Sequence, residues 1–215
     1  MRWAGVAGAA AAEGLVAGGG LHPGPEDGAP EGTGTIVLLC PDGRGFWDRF
    51  RAGPEFGDGR PDPLDRWSRR VIGGLAARLG ATALFPFGGP PWRPFTRWAR
   101  ASGMAWEAPV GLLVHARLGL FVSYRGALAF AARLDLPAPA ARPCDACARP
   151  CLTACPAGAM TGAGYDIAAC HGFLDGAEGA DCLGRGCAVR RACPVGAGLR
   201  AAEQSAFHMA SFHRG

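Results

Sequence analysis

Between Pro63 and Leu79 the residues Leu64, Trp67, Val71, Leu75 and Leu79 recur at steps of three and four, with Arg66, Arg69 and Arg70 largely off that stripe. This is the period of one helix face. Asp62 stands at the cap, Pro63 at the first helical position and Gly80 at the stop, so the pattern predicts a helix over 63–79. Thr35 to Cys40 (TIVLLC) is instead an unbroken apolar run closed by Pro41-Asp42-Gly43, the pattern of a buried strand. Val6 to Val16 reads as a short helix stopped by Gly18-Gly19-Gly20, and a polar loop over 22–34 follows. Phe46 to Phe56 reads as a short aromatic helix and Ala81 to Phe87 as a strand. After the breaker Gly88-Gly89-Pro90-Pro91, Trp92 to Ser102 reads as a second helix. Val110–Ala116 and Leu120–Phe130 look like two strands joined by a tight turn at Arg117–Gly119.

Beyond Leu136 the chain turns to Pro and Ala up to Pro143, an extended linker, and the composition then changes abruptly. Eight of the nine cysteines lie in the last 72 residues. The expected organisation is a first domain over 1–136, a linker over 137–143 and a cysteine domain over 144–215.

Composition adds bounds rather than detail. With 49% apolar residues a core can form, and 35 Gly and 18 Pro predict many turns and short elements. All 22 basic residues are Arg, which a biased coding composition explains. The net charge of +4 falls wholly before residue 144, and no basic run occurs, so no nucleic-acid partner is expected. No stretch has eighteen consecutive apolar residues, so no membrane span is expected. The Ala/Gly-rich start is interrupted by Glu13 and several Gly, and reads as the beginning of a cytoplasmic protein.

The cysteines carry the chemistry. The first group is Cys144-x2-Cys147-x3-Cys151-x3-Cys155-Pro156; the second is Cys170, then Cys182-x4-Cys187-x5-Cys193-Pro194. Three thiolates from one tight loop can wrap three corners of a cubane, while the fourth must come from elsewhere. The first group resembles the C-x2-C-x2-C-x3-C-P run of bacterial dicluster ferredoxins with one residue added, and in those proteins the last cysteine crosses to the other cluster. Carried over, that crossing implies one [4Fe–4S] cluster on Cys144, Cys147, Cys151 and Cys193. A second would sit on Cys155, Cys170, Cys182 and Cys187. Disulfides suit a secreted chain, and no convincing signal peptide stands here. Zinc would also fit two four-cysteine sites, but zinc ribbons favour two C-x2-C knuckles, and only Cys144/Cys147 forms one.

The tail resembles the iron–sulfur module of epoxyqueuosine reductases, with "YDIAAC" at 165–170 standing where that family has its lone cysteine. "VGLLVHARLGLFVSYRGALAF" at 110–130 is similar to the hairpin that leads into the cluster module of those enzymes and of corrinoid reductive dehalogenases. "GTIVLL", "PPWRPFTRWARASGMA" and "LLVHARLGLFVSYRG" look like segments of the CblC-type cobalamin-processing protein. The resemblance implies an α+β fold: a nitroreductase-like, CblC-like mixed sheet followed by a small ferredoxin-like module with two [4Fe–4S] clusters. It implies cobalamin as a further cofactor, with Arg125 and His115 as cofactor-binding candidates. The helical repeats by which epoxyqueuosine reductases grip tRNA are absent, and 143 residues are few for a full corrinoid domain, so substrate identity does not carry over.

Several residues have plainer readings. Arg125 fits a salt bridge at a strand edge, His115 a structural role, and Cys40 a small buried side chain. Phe95 and Trp98, with Trp92, fit core packing, and Asp62 and Asp65 fit a helix N-terminus. Three functions follow in order. The first is low-potential electron transfer to a redox partner protein or a small-molecule acceptor. The second is a corrinoid- or flavin-dependent reductase that uses the clusters to reduce its own cofactor. The third is a zinc-stabilised interaction protein.

Overall fold

The computed structural model describes residues 2–214. In chain order the first elements are α1 (Trp3–Ala11), β1 (Leu15–Leu21), β2 (Thr35–Pro41), α2 (Arg44–Ala52), α3 (Pro54–Gly57), α4 (Pro63–Leu79), β3 (Thr82–Leu84) and α5 (Phe95–Ala101). Then come β4 (Ala105–Glu107), β5 (Leu113–His115), β6 (Gly126–Phe130), β7 (Met160–Thr161), β8 (Gly164–Tyr165), α6 (Ile167–Asp175), α7 (Ala180–Arg185), α8 (Ala188–Arg191) and α9 (Ala202–Arg214). The protein is a mixed α+β chain with small antiparallel sheets. Among the described residues no helix is long and apolar enough to cross a membrane.

The chain forms two compact units. The first holds the residues up to Ala105 together with Ser123–Ala140; the second holds Trp106–Val122 together with the residues from Ala141 onward. Segment 106–122 thus groups with the cysteine tail.

The first unit is built on a four-stranded sheet in the order β1-β2-β6-β3. Every residue of β2 and β6 is buried, as the unbroken run TIVLLC demands of a strand covered on both faces. They pair antiparallel from Thr35↔Phe130 to Leu39↔Gly126. Helix α4 packs on β3 and β6, and it begins and ends where the sequence places it. Asp62 occupies the cap position without a side-chain cap bond. The aromatics of α2 and α3 close the core, with Phe46 edge-on to Trp67 at 5.0 Å. Glu55 of α3 takes two hydrogen bonds from Arg70 of α4, at 2.6 and 2.8 Å, which hold its carboxyl below the usual range.

Several elements depart from expectation: the single helix expected over 46–56 is two, Arg44–Ala52 and Pro54–Gly57, parted where Gly53 is extended before Pro54. The first helix ends at Ala11, stopped by Gly14 at φ +73°, and the three glycines lie inside β1 instead of ending a helix. A Cβ on Gly18 would meet Cys40 Sγ at 2.5 Å, and one on Gly20 would meet Leu136 at 2.7 Å, so only glycine fits this closely covered, bulged strand. Strand β3 is cut to three residues before Pro86. Helix α5 starts at Phe95, because Pro94 biases Arg93 away from helical backbone. Phe95 and Trp98 are buried while Trp92 is 65% exposed. Finally, 110–116 and 120–130 do not form a hairpin: β5 pairs with β4, whereas β6 pairs with β2 and β3.

The second unit holds the β4–β5 and β7–β8 pairs and the helices α6 to α9. It has two apolar centres. Ala108, Val110, Val114, Leu120, Cys151, Met160 and Val189 form one, and Leu174, Cys182 and Met209 form the other.

Candidate metal centre

The wall of the first apolar centre is Trp106–Val122. Its turn is closed by paired backbone bonds between His115 and Gly119, both 3.0 Å. Nδ1 of His115 accepts from the backbone N–H of Arg117 and Leu118, at 3.0 and 3.2 Å, so this buried imidazole organises the turn. Gly119 sits at φ +58°, and a Cβ there would run into the Val195 carbonyl and lie 3.1 Å from Cys193 Sγ. The turn therefore packs directly on the Cys193-Pro194 corner and sets where that cysteine stands.

Cys144 and Cys147 lie in the loop after Pro143, and Cys151 in a 3-10 turn begun by Pro150. Arg149, at φ +57°, bends that loop so that its N–H donates to Cys147 Sγ at 3.3 Å. Cys170 is carried by α6, whose cap Asp166 accepts from the Ala169 N–H at 2.9 Å. Cys182 is on α7, Cys187 immediately precedes α8, and Cys193 follows it. All nine cysteines are free thiols. Cys40 is fully buried in β2, away from the rest in the first unit.

Seven of the eight tail cysteines line two pockets. One, about 20 Å³, is lined by Cys144, Cys147, Cys151 and Cys193 with Ala108, Val114 and Leu120 behind them, and the exposed loop at Arg149-Pro150 forms one side. The other, about 90 Å³, is lined by Cys155, Cys170 and Cys187 with Leu112, Met160, Tyr165, Arg190 and Phe212. Cys182 is buried in the adjoining apolar centre, close enough to act on Cys170 electrostatically.

The electrostatics follow the same division. Burial pushes the Cys144 thiol up; Arg142 opposes this, and Cys147, Cys151 and Cys193 reinforce it. Burial likewise raises Cys151, against the pull of its own N–H and that of Leu152. In the second set, burial raises Cys170, a hydrogen bond from Tyr165 lowers it, and Cys187, Cys155 and Cys182 raise it again. Among the described residues, no three His, Cys, Asp or Glu side chains converge tightly enough to hold a single metal ion. The sulfurs stand around pockets instead. Soft sulfur donors with apolar walls and no carboxylate among them favour soft metals over hard ones.

Arg125 lies elsewhere, in the first unit. Its Nε donates to Ser68 Oγ at 3.1 Å, its Nη2 pairs with Asp65, and its guanidinium lies 5.3 Å from the Phe87 ring centre. Asp65 is thus an ion-pair partner and more than a helix-start acid. The first unit also holds an open cavity of about 640 Å³, lined by Gly20, His22, Asp27, Ser102, Arg133 and Asp135 among others; neither Arg125 nor His115 reaches it.

Sequence reasoning passes over Tyr165, Arg190 and Arg200. Tyr165 donates to the Cys170 sulfur, and the only hint of it is its place in YDIAAC. Arg190 and Arg200 carry no sequence signal, since every basic residue here is Arg. No family model matches the chain, and neither a curated protein nor a solved structure does.

Proposed function

We propose that the chain is an electron-transfer protein that holds two [4Fe–4S] clusters on its tail cysteines. One observation supports this reading: Cys144 interacts with Cys147, Cys151 and Cys193, and Cys170 with Cys155, Cys182 and Cys187, seven of the eight line two pockets, and each group takes one cysteine from beyond its local run. When bound, such clusters supply one-electron transfer at low potential. The chain's own residues do the rest. Ala108, Val114 and Leu120 exclude water behind the first set, and the N–H groups of Arg149 and Leu152 face its sulfurs. Tyr165 steadies the Cys170 thiolate by a hydrogen bond.

In this reading the second unit is a ferredoxin-type module, and the first is a reduced nitroreductase-like sheet that serves as a docking scaffold. Its partners are a redox protein or a small-molecule acceptor, and its compartment is the cytoplasm, where thiols stay reduced. Zinc is disfavoured because it needs four sulfurs about 2.3 Å from one point.

Anaerobic purification with iron and acid-labile sulfide assays tests the reading. About eight irons per chain are expected, and about four would defeat the two-cluster form. A colourless, zinc-loaded protein would defeat it entirely. Cys193→Ser should disturb the centre that includes Cys144, Cys147 and Cys151, and Cys155→Ser the other. The reverse pattern would reject the crossed sets.

The 640 Å³ cavity favours a second reading, because that size suits a bound organic cofactor. There the first unit binds a corrinoid or flavin that the clusters reduce. A shift in the cobalamin or flavin spectrum on titration supports it, and an unchanged spectrum leaves electron transfer to an external acceptor.

A further inference from the structure

Arg190 and Arg200 are half-buried in the second unit, and neither meets a carboxylate among the described residues. Arg190 Nη1 donates to the Leu120 carbonyl at 3.0 Å. Arg200 Nη2 donates to the Phe121 carbonyl at 2.8 Å, and its guanidinium lies 5.0 Å from the Phe121 ring centre. Their neighbours are treated differently: Arg185 and Arg191 both pair with Asp181. Burying a cation without a counter-ion is costly, and two such cations that repel each other cost more. The repulsion is felt, since burial and then the charge of Arg190 bring Arg200 down to about 10. Both remain charged at neutral pH.

The compensating charge has one place to come from. Arg190 lines the pocket of Cys155, Cys170 and Cys187, and its favourable electrostatic partners are Cys187 and Tyr165. Four thiolates around an iron–sulfur core carry a net negative charge, and more of it after reduction. A fixed cation on the pocket wall is matched to that charge. The cations of the first group, Arg142 near Cys144 and Arg149 on the pocket rim, are both exposed to solvent.

We propose that Arg190 is the built-in counter-cation of the Cys155/Cys170/Cys182/Cys187 centre and raises the reduction potential of the iron–sulfur group those thiolates hold. The inference rests on reading these four cysteines as cluster ligands. The sign follows from charge: a nearby cation stabilises the more negative, reduced state. Arg200, a second cation close enough to repel Arg190, adds a smaller effect of the same sign.

The experiment is an anaerobic redox titration of the full, iron-loaded chain with dithionite as electron donor, read by electron paramagnetic resonance. In Arg190→Gln one centre should become harder to reduce. Its reduced-to-oxidised ratio at a fixed poise should fall about tenfold, about 59 mV for a one-electron couple. The other centre should hold its potential, and Arg190→Lys should shift the affected centre less than Gln does. Normal iron content with neither potential moved, or with both moved equally, overturns the proposal. Iron-free protein gives a second readout. Without the cluster the Arg190 charge is uncompensated, so iron-free R190Q should melt no lower than iron-free unaltered protein. A lower melting point, or failure to fold, would show that the bond to Leu120 is the main contribution of Arg190 and would also overturn the proposal. Absence of iron from the unaltered protein defeats the cluster reading itself, a result distinct from any of these.

Discussion

Arg125 and Arg190 are both guanidiniums drawn out of water, and their partners separate their roles. Arg125 has Asp65 and Ser68 within its own unit, so its charge is spent on structure. Asp65→Asn leaves that guanidinium with weaker acceptors and should destabilise the protein by about 2 kcal/mol. Denaturant melts should register the loss, while iron content should stay at its original value. A variant that lost iron at unchanged stability would tie Arg125 to the metal chemistry instead. The cysteine groups are legible in the sequence, because their spacing is a local property of the chain. Arg190 is not, because what distinguishes it from Arg185 or Arg191 is the absence of a carboxylate, which only packing reveals.

Among the elements, α4 is legible to the residue because its stripe, its Pro63 start and its Gly80 stop are all encoded within one short stretch. Strand β1 is not. Its glycines answer to Cys40, Trp3, Ser102 and Leu136, which are remote in sequence, so a run that reads locally as a stop is a strand under close cover. The segment 110–130 misleads for a related reason. Its turn is where the pattern puts it, but the chain beyond it pairs with β2 and β3. That turn carries its own prediction. An alanine at Gly119 would hold a left-handed backbone at a cost of about 1–2 kcal/mol, and its methyl would meet the Val195 carbonyl. Gly119→Ala should displace Cys193 and lower occupancy of the centre shared with Cys144, Cys147 and Cys151. Loss of one of two paramagnetic signals is the expected reading, and two intact signals would show the corner to be tolerant.

Across the whole chain, the Pro-rich stretch near 137–143 marks a change of composition, yet the compact units divide at three places along the chain. Composition cannot show this, since 106–122 contains no cysteine and reads like the rest of the first half. A chain of residues 141–215 alone would lack Ala108, Val114 and Leu120 behind the first pocket and Leu112 beside the second. It should remain largely unfolded by circular dichroism and take up little iron, whereas a chain starting at residue 106 should do better on both counts. Equal behaviour of the two would show the tail to be self-sufficient. The same interleaving has a consequence in time. On the ribosome, residues 106–122 emerge before any of the eight thiols they help enclose. Some seventy residues separate Val122 from Cys193, so that apolar wall waits roughly 4–14 s at ordinary elongation rates. For that interval it is a sticky, half-made surface, and neither centre can close, because the second group of cysteines is completed last. Slowing translation late in the message should lengthen this exposure and raise the aggregated fraction.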